Sequence, residues 1–550
     1  MKEFKYKAAM PGNPTFYKDG LQDYSVEGLE KLKSLGINTV FINLAWSRPH
    51  IDVVVLEATA ISKSYPLTSD TDEVISNRAK LVERIKNVKS LDMTTMALFG
   101  IPQYMDYSKL PDEYKVLMGA PVSLISPDQV TCVLSPETRI YYTELLCDLL
   151  SNMPDLDGIL VYTYDELAEV CDENSNCPRC RGIPAEERIS EFLNWLYDTV
   201  NTIKPGFKLW WEPWELSWAQ VYGILQKCNK EIVVSCHSTI HEVYFVNFPD
   251  LWLRTIAGLC RKQGREMIVE MFLSGCGEDL YHCPSYPCPR LIYEQLESVS
   301  VLQGITGIKE YYGICQKYFG INEAVLRHCL TTDNPEFSSF IKEKAREYVQ
   351  TDDLESIELL LYAWELSSHT LELIPWELSW VMRIGNYHPY DLSYYGKTGF
   401  YDLMRTPWDS PSWLSNRRSY YMVTRDDSIV NDTYSDDVIK RLEICFSYFE
   451  EICALLSKIP VKDSFKQQIE RQIFSITALK LVLKCRYYHL LDTLISKHGG
   501  TYKRYDRAEI RDLDIQNARD MLEFASVPPE DVPVTFDLEI LNNFMSTFDK

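Results

Sequence analysis

Two adjacent carboxylates, Asp165 and Glu166, follow the short apolar segment Ile159–Tyr162 almost directly. An ionised carboxylate without a partner is costly to bury, so the interior of a buried strand avoids such groups. The C-terminal end of a strand is different, because in a β/α barrel that end carries the functional residues. The position of the pair therefore predicts general acid and base chemistry at the end of a barrel strand.

Other polar or aromatic side chains recur at the predicted C-terminal ends of strands. Because all strands of a parallel barrel end at the same rim, these side chains should converge there. Some of the acids could instead be salt-bridged groups near the surface. The candidates for contact with a substrate, including residues next to the strand ends, are Trp46, Arg48, Glu212, His237, Glu270, Lys309 and Glu310.

Cleavage of a glycosidic bond requires one carboxyl group that protonates the leaving oxygen and a second group at the anomeric carbon. Two schemes fit the sequence, with Glu166 as the general acid and base in both. In the first, Asp165 orients an acetamido group of the substrate, which acts as the nucleophile. In the second, Glu270 is the nucleophile, and the two carboxyl groups must lie about 5–5.5 Å apart. The sequence leaves both schemes open.

An Asp-Glu pair on the fourth strand of a barrel resembles the catalytic pair of family 20 glycoside hydrolases, the β-N-acetylhexosaminidases. The segment that follows carries Cys171 and Cys177–Cys180 before a helix and a strand. This arrangement is similar to relatives of that family and to endo-acting N-acetylglucosaminidases. The resemblance covers the barrel, and its specific part is Val161–Gly182.

The resemblance implies that Glu166 is the general acid and base and that Asp165 polarises the acetamido group. It further suggests that Tyr311 or Tyr312 supplies the hydroxyl that stabilises an oxazoline intermediate. One feature departs from the family, because its His-x-Gly-Gly motif before the acids is replaced by Val161–Tyr164. We expect an exo-acting, retaining N-acetylhexosaminidase. The alternatives are another retaining or inverting glycosidase, such as an α-glucuronidase-like enzyme or a plain hexosidase, and a non-catalytic carbohydrate-binding protein.

The elements that must position these residues alternate between short apolar segments and amphipathic helices through residue 322. This alternation predicts a (β/α)8 TIM barrel over residues 1–322, with a loop of about thirty residues after the third strand. The predicted strands are Lys5–Met10, Asn38–Trp46, Thr94–Phe99, Ile159–Tyr162, Phe207–Glu212, Glu231–His237, Glu266–Phe272 and Ile305–Tyr312.

Long helical patterns predominate over residues 323–550 and predict an all-helical C-terminal domain. An aromatic, turn-rich segment around residues 383–421 interrupts them, and its Trp408 is a further candidate for contact with a substrate. The predicted helices are Ser356–Leu373, Asp436–Ile459, Ser464–Lys497 and Ala508–Ala525.

The net charge of −23 argues against nucleic acid or an anionic membrane as a partner. A carbohydrate substrate fits this charge, and the helical domain could form a homodimer interface. The N-terminus lacks the apolar segment of a signal peptide, and the sequence has no apolar run long enough to span a membrane. We therefore expect a cytoplasmic protein in which the 16 cysteines are reduced thiols.

Three of these cysteines have the spacing of metal ligands. Cys177 and Cys180 form a Cys-x2-Cys pair, the chelating half of a zinc knuckle, and Cys171 precedes them closely. The expected catalytic mechanism requires no cofactor, so a zinc ion here would be structural. The alternative to zinc binding is that these reduced thiols pack in a loop. The fourth ligand of a structural zinc could be Cys276, His282, Cys283 or Cys288.

Overall fold

The protein is described by a computed structural model. Its described residues are 3–12, 22–43, 55–67, 71–121, 128–164, 167–171, 176–214, 216, 218–237, 249, 251–273, 285–310, 313–317, 319–350, 353–375, 432–528 and 538–546.

Eight parallel strands close into a barrel, in which each strand pairs with its neighbours in the chain and β1 pairs with β8. This confirms the predicted (β/α)8 fold. Strands buried on both faces read as continuous apolar segments, which is why the sequence located them. The strands are β1 Tyr6–Ala9, β2 Thr39–Phe41, β3 Thr94–Gly100, β4 Gly158–Tyr162, β5 Lys208–Glu212, β6 Val233–His237, β7 Met267–Met271 and β8 Gly307–Glu310.

A helix follows each strand and covers the outside of the barrel. The first helix shows the local rules, because the hydroxyl of Ser25 caps it by accepting from the N–H of Gly28, while Leu29 and Leu32 are buried. The helices are α1 Val26–Ser34, α2 Thr71–Ser90, α3 Pro136–Asn152, α4 Ala185–Ile203, α5 Trp218–Lys227, α6 Leu251–Gln263, α7 Pro289–Ser300 and α8 Ile321–Thr331.

Strand alternation divides the side chains between the barrel interior and the helix layer. On β5, Trp210 belongs to the interior cluster, whereas Leu209 and Trp211 pack in the outer core beneath the helices. Glu212 lies two residues after Trp210 and therefore also faces the interior. Side chains alternate in the same way on the neighbouring strands. Their polar side chains therefore lie above the apolar residues of the barrel interior.

The loop predicted after β3 contains a three-stranded antiparallel sheet, formed by Tyr104–Met105, Met118–Pro121 and Gln129–Thr131. These strands have two to four residues each, and Gly119 and Pro121 lie within the second of them. Segments this short, and with glycine and proline in them, lack the alternating pattern by which a strand is predicted.

The C-terminal region is helical, as predicted. It also contains a small antiparallel hairpin, whose two strands, Thr501–Tyr502 and Tyr505–Asp506, have two residues each. The predicted aromatic segment around residues 383–421, including Trp408, lies outside the described residues. The helices are α9 Phe337–Tyr348, α10 Leu354–Leu373, α11 Asp432–Lys458, α12 Asp463–Lys497, α13 Arg507–Ala525 and α14 Leu538–Ser546.

The helical region packs on the barrel through α10 and α7. The guanidinium of Arg290 on α7 pairs with Glu365 and Glu372 on α10, and the hydroxyl of Tyr286 donates to the carbonyl of Ser367. The predicted boundary between residues 322 and 323 falls inside α8, which packs beside α7. The division into two domains stays a prediction. Within the described ranges, every helix is too short or too polar to cross a membrane.

Candidate active site

Four neighbouring barrel strands place ionisable side chains together at their C-terminal ends. Glu212 ends β5, His237 ends β6, Glu270 lies near the end of β7, and Lys309 lies near the end of β8. Their exposed fractions are 0%, 3%, 1% and 1%. Glu270 stands opposite both His237 and Lys309 in the strand register. Buried charges persist only when they are paired, so the contacts within this cluster determine what it can do.

The carboxylate of Glu270 is the centre of the cluster. The ammonium of Lys309 lies 3.0 Å from its Oε2 atom, and the hydroxyl of Tyr162 on β4 donates to the same oxygen at 3.3 Å. The hydroxyl of Ser235 on β6 donates to Oε1 at 2.8 Å. A cation and two hydroxyl donors fix the orientation of this carboxylate.

His237 lies between the two glutamates. Its Nδ1 atom is 2.9 Å from Oε1 of Glu212, and its Nε2 atom is 3.9 Å from Oε2 of Glu270. One oxygen from each glutamate and a ring nitrogen all lie within 4.8 Å of one another. The ring of Trp214 covers the imidazole, with 4.3 Å between the ring centres. The cluster therefore places two carboxylates and an imidazole close enough together to contact one ligand at the mouth of the barrel.

The same donor set, two carboxylates and a histidine, could in principle hold a divalent metal ion. The ammonium of Lys309 argues against this reading. It lies 3.0 Å from Glu270 and already supplies the positive charge that a metal would bring. A metal ion at this position would be repelled by Lys309. We therefore describe the cluster as a hydrogen-bonded ion-pair network.

The structure brings together four of the predicted site residues, Glu212, His237, Glu270 and Lys309. It places Glu310 on the other face of β8, because strand alternation sets it opposite to Lys309. The carboxylate of Glu310 accepts a hydrogen bond from the N–H of Leu273 and so holds the chain after β7. The other predicted site residues lie outside the described residues: Trp46, Arg48, Asp165, Glu166, Tyr311, Tyr312 and Trp408.

The residues on either side of the predicted acid pair are described. Tyr164 is buried, and Leu167 adopts a φ of 63°, in the left-handed region that a leucine rarely occupies. The carbonyl of Leu167 accepts from the N–H of Tyr104, and the N–H of Glu169 donates to the carbonyl of Pro102. Strained backbone of this kind costs about 1–3 kcal/mol and clusters at functional sites.

Some members of the site differ from the sequence prediction. Lys309, predicted to contact sugar hydroxyls, instead pairs with Glu270, and Tyr162 and Ser235 were not singled out. The signal for Ser235 is its position two residues before His237, on the same face of β6. Trp211, next to Glu212 on β5, packs in the outer core, where its indole N–H donates to the hydroxyl of Thr163.

A second cluster contains the three predicted metal-binding cysteines. Cys171, Cys177 and Cys180 lie together, and the fourth thiol of the group belongs to Cys132. The sequence pattern does not indicate Cys132 as a ligand, because it lies 39 residues before Cys171 and follows a short strand without alternating polarity. Among the four alternatives for the fourth position, Cys288 is described, and it begins α7 within the main core.

No known family model and no curated protein matches this sequence. Solved structures do match. A GH138 enzyme targeting pectin rhamnogalacturonan II aligns with 100% of this chain and 67% of its own, at 10% identity and a TM-score of 0.56. An O-GlcNAc hydrolase mutant from Thermobaculum terrenum aligns with 99% of this chain and 94% of its own, at 10% identity and a TM-score of 0.43.

A GH20 exo-β-N-acetylglucosaminidase from Vibrio harveyi, in complex with N-acetylglucosamine, aligns with 62% of this chain and 56% of its own. Its identity is 13% and its TM-score 0.39. At such low identities, the similarity to the GH138 enzyme shows a shared fold, and the weaker alignments add nothing to it.

Proposed function

We propose that this protein is a glycoside hydrolase whose active site lies at the C-terminal mouth of the barrel. The observation that carries the proposal is the convergence of Glu212, His237, Glu270 and Lys309 from four neighbouring strands. Buried ion pairs contribute little net stability, and apolar residues of similar volume often stabilise a protein as well or better. Stability alone therefore does not explain this buried charged network. Its position at the end of the barrel that carries function favours a role in chemistry.

Glu270 is the nucleophile in the mechanism that this geometry supports best. Glu166 protonates the leaving oxygen while the carboxylate of Glu270 attacks the anomeric carbon, which gives a covalent glycosyl-enzyme. Glu166 then removes a proton from water, which displaces Glu270 and releases the sugar. Lys309 and the hydroxyls of Ser235 and Tyr162 hold the carboxylate of Glu270 in one orientation for attack. The roles of Glu212 and His237 are to bind hydroxyls of the same sugar.

A second candidate is the substrate-assisted N-acetylhexosaminidase, which the adjacent Asp165 and Glu166 favour. In this mechanism the acetamido oxygen of the substrate attacks the anomeric carbon, Asp165 stabilises the resulting oxazoline, and Glu270 serves only to bind the sugar. The similarity to family 20 glycoside hydrolases, an exo-acting mode and a cytoplasmic location belong to this finer proposal. In both mechanisms the product retains the anomeric configuration of the substrate.

Hydrolysis of a panel of aryl glycosides tests the proposal. The panel pairs N-acetylated with plain hexosides and includes uronides, together with rhamnogalacturonan fragments because the similar GH138 enzyme targets rhamnogalacturonan II. We expect Glu166→Gln to lose at least about 10²-fold in kcat, most strongly with poor leaving groups. The matched control is Glu266→Gln, because Glu266 lies at the opposite, N-terminal end of β7 and pairs with exposed Lys5.

The nucleophile is identified with Glu270→Ala. If Glu270 is the nucleophile, added azide should restore turnover in this variant and give a glycosyl azide of inverted configuration. If the substrate assists, only N-acetylhexosaminides should turn over, and Asp165→Asn should be more damaging than Glu270→Ala. Wild-type turnover that is unchanged in Glu166→Gln would contradict both mechanisms. Binding of sugars without any turnover would favour a carbohydrate-binding protein instead.

A further inference from the structure

Four cysteines from separate segments meet beside the barrel mouth. Cys132 directly follows the last strand of the three-stranded sheet, Cys171 follows the segment that pairs with Pro102–Tyr104, and Cys177 and Cys180 precede α4. All four side chains are buried, and their sulfur atoms lie within 4.8 Å of one another. Because Cys132 lies 39 residues before Cys171, local chain geometry alone does not bring its thiol to the other three.

The sulfur–sulfur distances suit a shared metal ion. The Sγ atom of Cys132 is 3.7 Å from that of Cys177 and 3.4 Å from that of Cys180. A disulfide requires about 2.05 Å, and none of these four described cysteines forms one. Zinc binds thiolate sulfur at about 2.3 Å, so four sulfurs in a tetrahedron around it lie about 3.8 Å apart.

The surroundings of the sulfurs are built closely around them. At Gly119 a Cβ atom would lie 2.4 Å from the sulfur of Cys171, so the sheet backbone can approach only because this residue is glycine. The N–H of Ala120 points to the same sulfur at 3.5 Å. The buried guanidinium of Arg188 donates to the carbonyls of Cys171 and Ile183, which fixes both ends of the cysteine-bearing segment.

Hydrophobic burial at the sulfur atoms themselves is small. Besides the four cysteines, the local cluster contains Ala120 and Val130, with Leu134 packed against it. These few small aliphatic side chains bury little apolar area. A structural zinc site supplies folding free energy where a chain segment cannot build a large core of its own.

We propose that Cys132, Cys171, Cys177 and Cys180 bind one structural zinc ion. The ion joins the sheet that follows β3 to the segment that follows β4. That segment begins directly after Asp165 and Glu166, and its Leu167 and Glu169 pair with Tyr104 and Pro102. Zinc therefore anchors the chain immediately after the acid pair, a consequence for catalysis that rests on the proposed function.

The test is metal analysis of the purified full-length protein, with X-ray absorption at the zinc edge. We expect about one zinc per chain, surrounded by four sulfur atoms at about 2.3 Å. Cys132→Ser should lower the content to less than half an equivalent. Cys147→Ser, which changes a half-buried cysteine on α3, is the matched control and should keep its zinc.

The proposal is overturned if wild-type protein supplied with zinc binds less than half an equivalent, or if the zinc edge shows fewer than four sulfurs. Full zinc content in Cys132→Ser would overturn it as well. Should that variant fail to fold, hydrogen exchange on wild-type protein provides the second measurement. A chelator should raise exchange at residues 117–132 and 167–183 but leave β5–β8 unchanged. None of these results depends on turnover, so they are independent of the proposed enzymatic activity.

Discussion

Removal of Lys309 should destabilise the barrel through the charge that it leaves behind on Glu270. Both side chains are almost fully buried, and the ammonium lies 3.0 Å from the carboxylate. Removal of one partner from such a pair costs about 3–5 kcal/mol. Ser235 and Tyr162 still donate to Glu270, so we expect Lys309→Met to lie near the lower limit, at about 3 kcal/mol.

The cost should fall when the charge of Glu270 is removed as well. The amide oxygen of glutamine can take the place of Oε2 and accept from Lys309, while its NH2 group donates to the hydroxyl oxygen of Ser235. Lys309→Met in a Glu270→Gln background therefore loses about one hydrogen bond, or about 1 kcal/mol. The coupling between the two substitutions is therefore about 2 kcal/mol. Urea unfolding followed by tryptophan fluorescence gives the free energy of unfolding for each of the four proteins in the cycle.

An exposed pair of the same residue types is the matched control. Lys5 and Glu266 pair at the opposite end of the barrel, with side chains 57% and 33% exposed. Exposed pairs contribute about 0–1 kcal/mol, so Lys5→Met should hardly change the free energy of unfolding. Effects of Lys309→Met and Glu270→Gln that add to within about 0.5 kcal/mol would refute the coupling and, with it, the role of Lys309 as the counter-ion of Glu270.

Three further predictions concern other parts of the molecule. Tyr162→Phe removes a donor to Glu270 and should lower kcat about tenfold with little change in KM, whereas an effect on KM alone would contradict this role. Gly119→Ala should reduce the zinc content below half an equivalent, whereas Gly258→Ala, at which a Cβ meets nothing within 4 Å, should not. Burial raises the pKa of Glu323 from its ordinary 4.5 to about 7, so the folded state favours the protonated acid. The resulting stability is present below about pH 4.5 and is lost as the pH rises through about 7. Glu323→Gln should therefore stabilise the protein at pH 8 by on the order of 3 kcal/mol and have little effect at pH 4. Thermal melts at both pH values measure this difference.

The barrel could be predicted because its strands are buried on both faces and its helices on one. Phe207–Glu212 is an example, since its apolar residues and its final acid predicted both β5 and the position of Glu212 at the rim. The short sheet after β3 could not be predicted in this way. Strands such as Tyr104–Met105 are formed by pairing with distant residues, and two residues have no pattern of their own.

The site was predictable to the extent that strand ends determine it. Glu212, His237 and Glu270 follow from this rule, because parallel strands of a barrel end at one rim. The partners of these residues do not follow from it, since an interior lysine such as Lys309 can contact either a ligand or a neighbouring acid. Cys132 was missed for the same reason as the short sheet, because only tertiary pairing brings it to the other cysteines.

The two halves of the barrel mouth are held by different physical means. On β5–β8, charged side chains stand above an interior of aromatic and aliphatic residues, among them Tyr6, Phe41 and Trp210. This apolar surrounding strengthens the Lys309–Glu270 pair, because charges interact more strongly in a medium of low dielectric constant. Beyond the ends of β3 and β4, the chain is held instead by the short three-stranded sheet and by the four clustered cysteines. Loss of the ion pair should therefore disturb the proposed sugar-binding site directly, whereas loss of the proposed zinc ion should act through the position of the segment that follows Glu166.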